Sequence, residues 1–161
     1  MTSITFAVYG LPVTQGNKSA FVTKTGKAVM REGRSNEAKG RFDAWRHAVG
    51  DEARRVAGDA LLEGPVLVTL TFGLQRPASA PKRRRTWPTA ARSGDVDKLA
   101  RACLDAITGV ILVDDAQVIG LAVTKDYGRP GVQVTVTPVC DSDVDWQPTW
   151  QPALHLESSA S

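Results

Sequence analysis

The nine residues VLVTLTFGL, 66 to 74, place Val66, Val68, Leu70, Phe72 and Leu74 at alternate positions, with Leu67, Thr69, Thr71 and Gly73 between them. Alternation with period two describes a β-strand with one face turned to a core. Such a strand needs neighbours for its backbone and a second layer over its apolar face. The flanking sequence offers both. ITFAVYGLP alternates Ile4, Phe6 and Val8 with Ala7, Tyr9 and Leu11 and reads as a buried strand, ended by Gly10 and Pro12. From Glu37 to Gly58, Phe42, Trp45, Val49, Ala53 and Val56 recur at spacings of three and four, which predicts a helix with one apolar stripe and Gly58 as its stop. A second helix carries Val96, Leu99, Cys103 and Ile107 on one face, widened by Ala100 and Leu104, with Gly109 just past its end. VILV, QVIGLAVTK and VQVTVTP read as further strands, the last two joined as an antiparallel hairpin through the turn DYGRPG. The order β-α-β-α-β-β predicts an α/β (α+β) fold with a single mixed sheet and two main helices.

A chain of 161 residues suits one compact domain. We place it at residues 1–139, because CDSDVDWQPTWQPALHLESSAS, 140 to 161, loses periodicity and gathers Pro, Ser and Asp, the pattern of a mostly disordered tail. Trp146 and Trp150 could dock that tail on the body or on a partner. No apolar run approaches the roughly 18 residues of a membrane span, and the N-terminus lacks the basic and apolar regions of a signal peptide, so no membrane and a cytoplasmic location are expected. Cys103 and Cys140 are far apart and without CxxC spacing, which gives no indication of zinc. His47 and His155 have no ligand partner at helical spacing.

The net charge of +3 conceals an uneven distribution: all 20 Lys and Arg lie before residue 130. Asp141, Asp143, Asp145 and Glu157 sit in the tail, so residues 1–139 carry twenty cations against thirteen acids, or +7. A basic body fits a polyanionic partner, though solubility alone would also account for it. Two segments concentrate the charge. Residues 13–36 form a polar loop or loose hairpin with Lys18, Lys24, Lys27, Arg31 and Arg34. Residues 75–94, QRPASAPKRRRTWPTAARSG, form a proline-broken loop with Arg76, Lys82, Arg83, Arg84, Arg85 and Arg92 beside Trp87. These cations could grip phosphates while the indole stacks a base, or they could be a solvated charge run.

Immediately downstream comes GDVDKLARACLDAITGVILVDDAQV, residues 94 to 118. Asp95 and Asp97 in extended chain would point to one side, and Asp also favours helix N-termini as a cap. A cap accounts for one acid but not for a second pair, Asp114 and Asp115, beyond the helix. A helix of about 12 residues is about 18 Å long, so VILV would have to run back along it to bring the second pair near Asp95. Convergent carboxylates would suit a hard cation such as Mg²⁺ or Mn²⁺, and with the basic loop beside them they suit phosphodiester chemistry.

This stretch resembles the signature of the RusA family of Holliday junction resolvases, which runs D-x-D-N-L-x-K-x-x-x-D-A-L and then, after a short interval, D-D-[SA]-Q-[VI]. The order of the other elements is similar over about residues 3–138. The resemblance implies a homodimeric, Mg²⁺-dependent endodeoxyribonuclease, with Mn²⁺ able to substitute, making paired symmetric cuts in branched DNA. It implies metal-holding acids at Asp95, Asp97 and Asp115, with Asp114 in support. Lys98 stands where the family has Asn, and Arg101 where it has Lys. Arg101 can stabilise phosphate charge but cannot donate a proton. Lys82, Arg83, Arg84, Arg85, Arg92 and Lys125 are the expected DNA contacts, with Lys98 a further candidate. A catalytically inert DNA-binding protein of the same fold is the competing reading. An enzyme acting on nucleotides or RNA ranks below both, for want of a phosphate-binding GxxxxGK loop.

Overall fold

The structure, a computed structural model, describes residues 2–15, 18–22, 28–32, 35–59, 61–90 and 93–139. The expected tail at 140–161 and its Cys140, Trp146, Trp150 and His155 lie outside them, as do Lys24, Lys27, Arg34 and Arg92. The elements are β1 (Ile4–Tyr9), β2 (Lys18–Val22), β3 (Ala28–Glu32), α1 (Asn36–Ala57), β4 (Val66–Leu74), α2 (Val96–Ile107), β5 (Val118–Tyr127) and β6 (Gly131–Pro138). One mixed sheet of order β1-β6-β4-β5 carries both helices, as the sequence led us to expect. The polar segment 13–36 supplies a separate antiparallel ribbon, β2 with β3, pairing Lys18 with Glu32 through Val22 with Ala28. No helix among the described residues is long and apolar enough to cross a membrane.

β4 is the centre of the sheet. Val66, Val68, Leu70, Phe72 and Leu74 are buried, while Leu67, Thr69 and Thr71 on the other face are exposed. The buried side chains meet Phe6 and Val8 of β1, Val132, Val134 and Val136 of β6, Trp45, Val49 and Ala53 of α1, and Leu99, Cys103 and Ile107 of α2. Burial pushes the Cys103 thiol up to about 12, which makes it an inert packing group. β1 is an edge strand with only Phe6 and Val8 buried, so its alternation has one covered face rather than two. On the open face threonines pair across strands, with Thr5 and Thr135 hydroxyls 3.1 Å apart. α1 starts on the Ser35 cap and ends at Gly58, as its stripe predicted, although Val56 at the last turn remains 38% exposed.

Two strand expectations are overturned. VILV is not a strand: Val110 and Ile111 bond back to the Ile107 carbonyl, and Leu112 makes isolated bridges to Leu62 and Thr108. Ile111 and Leu112 instead form a fully buried plug, while Val113 is left exposed. A short apolar run satisfies burial equally well as a compact turn, and periodicity cannot distinguish the two. β5 and β6 are also not a hairpin. β4 lies between them, parallel to β5 and antiparallel to β6. Their connection crosses the end of β4, where the Gly128 amide donates to the Leu74 carbonyl at 2.9 Å and the Gly10 amide donates to the Pro130 carbonyl at 3.1 Å. Gly73 makes the crossing possible, because a Cβ at that position would collide with the Arg129 carbonyl oxygen.

Gly73→Val should therefore destabilise the fold by about 1–3 kcal/mol, the usual scale of overpacking, measured by urea denaturation. An unchanged midpoint would mean that the crossing loop yields freely.

Candidate active site

The turn that begins α2 is built by Gly94, whose φ of +78° belongs to the left-handed region that glycine enters without strain. Asp95 follows in extended conformation at the N-cap position, and its backbone carbonyl accepts the Leu99 amide at 3.0 Å. Its side chain, however, makes no capping bond. The carboxylate turns outward and receives Lys98 Nζ at 2.5 Å. Asp97 is exposed in the first helical turn, where the positive end of the helix dipole favours an anion. The cap explanation therefore fails for the carboxylates, and both present oxygen ligands to solvent.

The electrostatics are local. The Lys98 hydrogen bond and charge, helped by the charge of Lys125, hold the Asp95 carboxyl below its ordinary value. Lys98 in turn is raised, first by its hydrogen bond to Asp95, with the charge of Asp97 adding to it. Lys125 lies on the inner face of β5, in register with Phe72. Its ammonium donates to the Gly94 carbonyl at 2.5 Å and the Ser93 hydroxyl at 3.2 Å. Ser93 Oγ bonds to the carbonyls of Pro88 and Ala90, each at 2.6 Å, and Pro88 is fully buried behind it. Lys125, expected as a DNA contact, thus points inward and fixes the turn that carries Asp95.

The second acid pair is divided by function and by distance. Asp114 caps the short 3₁₀ turn Asp115–Gln117: its carboxylate accepts the Ala116 amide at 2.8 Å, and Gln117 Oε1 accepts the Asp114 amide at 2.9 Å. Gln117 Nε2 then donates to the carbonyls of Leu62 and Gly64 at 2.9 and 2.8 Å, pinning the motif to the entry of β4. Asp115 is left exposed. It does not approach Asp95, because VILV turns at the C-terminal end of α2 instead of running back along it. Lys125 marks the Asp95 end of β5, and the strand between it and Val118 spans about 23 Å. Among the described residues no three His, Cys, Asp or Glu side chains come together as a metal site. The structure therefore unites Asp95, Asp97, Lys98 and Lys125 at one end, and holds Asp114 and Asp115 at the other.

Arg101, one turn beyond Asp97, is exposed and makes no hydrogen bond or ion pair among the described residues. Lys82, Arg83, Arg84 and Arg85 are exposed around a concavity of about 360 Å³ that Asp126 and Tyr127 also line. The loop is closed by Arg76, whose guanidinium donates to the carbonyls of Pro81 at 2.5 Å and Arg84 at 3.2 Å. Arg85 pairs with Asp126 and lies 5.5 Å from the ring centre of Trp87, itself 58% exposed. Through Asp126 and Lys125, the basic loop and the acid turn are tied to the same end of β5.

Sequence reasoning missed several positioning residues. The Gln15 amide bonds to the Lys98 carbonyl at 3.1 Å, and Gln15 Nε2 donates to Asp105 at 3.0 Å, so the chain leaving β1 is laid along α2. No periodicity marks such a residue. Gly94 was legible in principle, since a glycine directly before a helix-starting Asp signals a turn.

A model of the family described as "Endodeoxyribonuclease RusA" matches residues 10–137. The chain is also similar to "Uncharacterized protein YqaN" of Bacillus subtilis (strain 168), 29% identical over 147 residues that cover 86% of this chain and 99% of that protein.

The lowered Asp95 value sets a pH dependence. An acid depressed on folding contributes stability above its unfolded value, 3.8, and that contribution fades as the pH falls through the lower folded value. Carbon-detected NMR should find the Asp95 midpoint below 3.8 and moving upward in Lys98→Asn.

Proposed function

The chain belongs to the RusA endodeoxyribonuclease family, and on that premise we propose that it is a metal-dependent endonuclease that resolves four-way DNA junctions by paired, symmetric incision. The observation that carries this reading is the outward presentation of Asp95 and Asp97 at the positive end of α2, tied through one strand end to a cation-lined loop. Oxygen donors without imidazole or thiolate suit Mg²⁺ or Mn²⁺. Such an ion, when bound, supplies a water of lowered pKa and neutralises charge on the phosphate.

Two carboxylates at one end of β5 and a third beyond its other end, about 23 Å along the strand, are reconciled by a C₂ dimer. Among the described residues the outer edge of β5 has no partner strand. Ile119 and Leu121 of β5 are 64% and 45% exposed. An exposed apolar edge invites pairing. If β5 pairs antiparallel with its own copy near Leu121, the start of one β5 meets the end of the other. The partner's Asp115 then joins Asp95 and Asp97, and two identical sites arise for the two cuts of a junction. Asp114 keeps Asp115 in place, Lys125 and Ser93 orient the Asp95 turn, and Arg101 stabilises charge on the phosphate. Lys82, Arg83, Arg84 and Arg85 hold the DNA backbone, with Trp87 placed to stack an unpaired base.

A second reading, an inert junction binder, is favoured by the Lys98 ion pair on Asp95 and by Arg101 at the family's lysine position. Strand incision of a synthetic four-way junction, with Mg²⁺ or Mn²⁺ against EDTA and linear duplex as control, separates the two. The endonuclease gives paired metal-dependent nicks confined to the junction, and the binder gives a complex with no nicks.

Asp95→Asn, Asp97→Asn and Asp115→Asn should each lower incision by about a hundredfold or more, the scale on which one charge-stabilising group acts, with junction binding retained. Mixing Asp95→Asn with Asp115→Asn should restore nicking, because one of the two shared sites in the mixed dimer keeps all its acids. Absence of rescue would place the three acids outside a shared site.

Neutralising Lys82 and Arg83 together should weaken binding and flatten its dependence on log salt by about two units, measured by fluorescence anisotropy. An unchanged slope would assign the loop to solvent.

A further inference from the structure

Lys98 is one of two positions, with Arg101, at which this chain departs from the signature it resembles, and the structure shows where the extra charge goes. Its Nζ sits 2.5 Å from Asp95 Oδ2, with the Lys98 side chain 32% exposed and that of Asp95 57% exposed. The charge of Asp97 also acts on it. The ammonium therefore lies in the field of both carboxylates that the proposed function gives to the metal. Asn at this position, the family residue, would bring no charge.

We propose that Lys98 is a tethered cation that competes with the divalent ion for Asp95, so that loading the site requires the Lys98–Asp95 pair to open. The inference rests on the proposed metal-dependent reading and concerns this chain's own departure from it. Three features support competition rather than a fixed structural bridge. The pair is one helical turn long and solvent-accessible, so it opens without disturbing the core. The backbone around Asp95 is fixed independently, by the Leu99 amide on its carbonyl and by Lys125 on Gly94. The displaced ammonium stays on the exposed start of α2, beside the place where the substrate phosphate would lie, where it has a new anionic partner.

The test is direct binding of Mn²⁺ to the full-length protein without DNA, read as free Mn²⁺ by electron paramagnetic resonance. Wild type is compared with Lys98→Asn and with Arg54→Gln, which removes the same unit charge from the exposed surface of α1. Lys98→Asn should bind Mn²⁺ about three- to tenfold more tightly, the range set by an exposed ion pair plus repulsion of a divalent ion. Arg54→Gln should match wild type, and the advantage of Lys98→Asn should shrink as salt screens the pair. Equal or weaker binding by Lys98→Asn, or an equal gain in Arg54→Gln, overturns the competition while leaving metal-dependent cleavage intact. No Mn²⁺ binding by any of the three overturns both the competition and the metal-dependent reading.

Discussion

Burial of one face of β4 is the constraint on which the rest of the molecule depends. Its five inward side chains can be covered only if strands flank it on both sides and helices lie over it. One flanking strand, β5, runs parallel to it, and parallel neighbours cannot be joined by a tight turn. α2 provides the crossover, so the chain leaving β4 must re-enter a helix at the end where β4 stops. That geometry puts Gly94 and Asp95 beside the carboxyl ends of two parallel strands, the place where open α/β sheets expose their ligand sites. The acid turn is thus a consequence of topology, made rigid by Lys125 from the neighbouring strand.

The parts of the fold that were legible in the sequence are those in which one physical demand governs the pattern. The alternation of 66–74 and the stripe of Phe42, Trp45, Val49 and Ala53 answer only to burial, and both elements formed where expected. VILV answered to burial as well, but a turn served it. The order of strands in the sheet depended on something that alternation does not encode: a glycine at 73 that lets another segment pass over the strand end. The two strands around DYGRPG looked like a hairpin because their connection is short, and short connections usually join neighbours.

For the candidate site, the motif named candidate acids but not their separation. Reading Asp95 and Asp115 as neighbours assumed a returning strand that the chain does not make. Asp114 was expected in support, but its capping bond and the hold of Gln117 on two carbonyls were hidden, since in sequence they look like any polar residues. Much of the motif's second half is therefore scaffolding. Its polar residues clamp the entry of β4 and leave a single carboxylate facing outward.

The position of β6 also governs how the protein is made. Among the described residues β1 pairs only with β6, Ile4 opposite Val136, so its backbone meets that partner only when nearly the whole domain has been synthesised. β1 can lie against α1, where Phe6 and Val8 share a core with Trp45 and Val49, but the sheet closes only when β6 enters between β1 and β4. Long-range pairings of this kind fold slowly and leave apolar edges open in the interval. The backbone edge of β1, rather than its side chains, is thus what the nascent chain leaves unpaired longest.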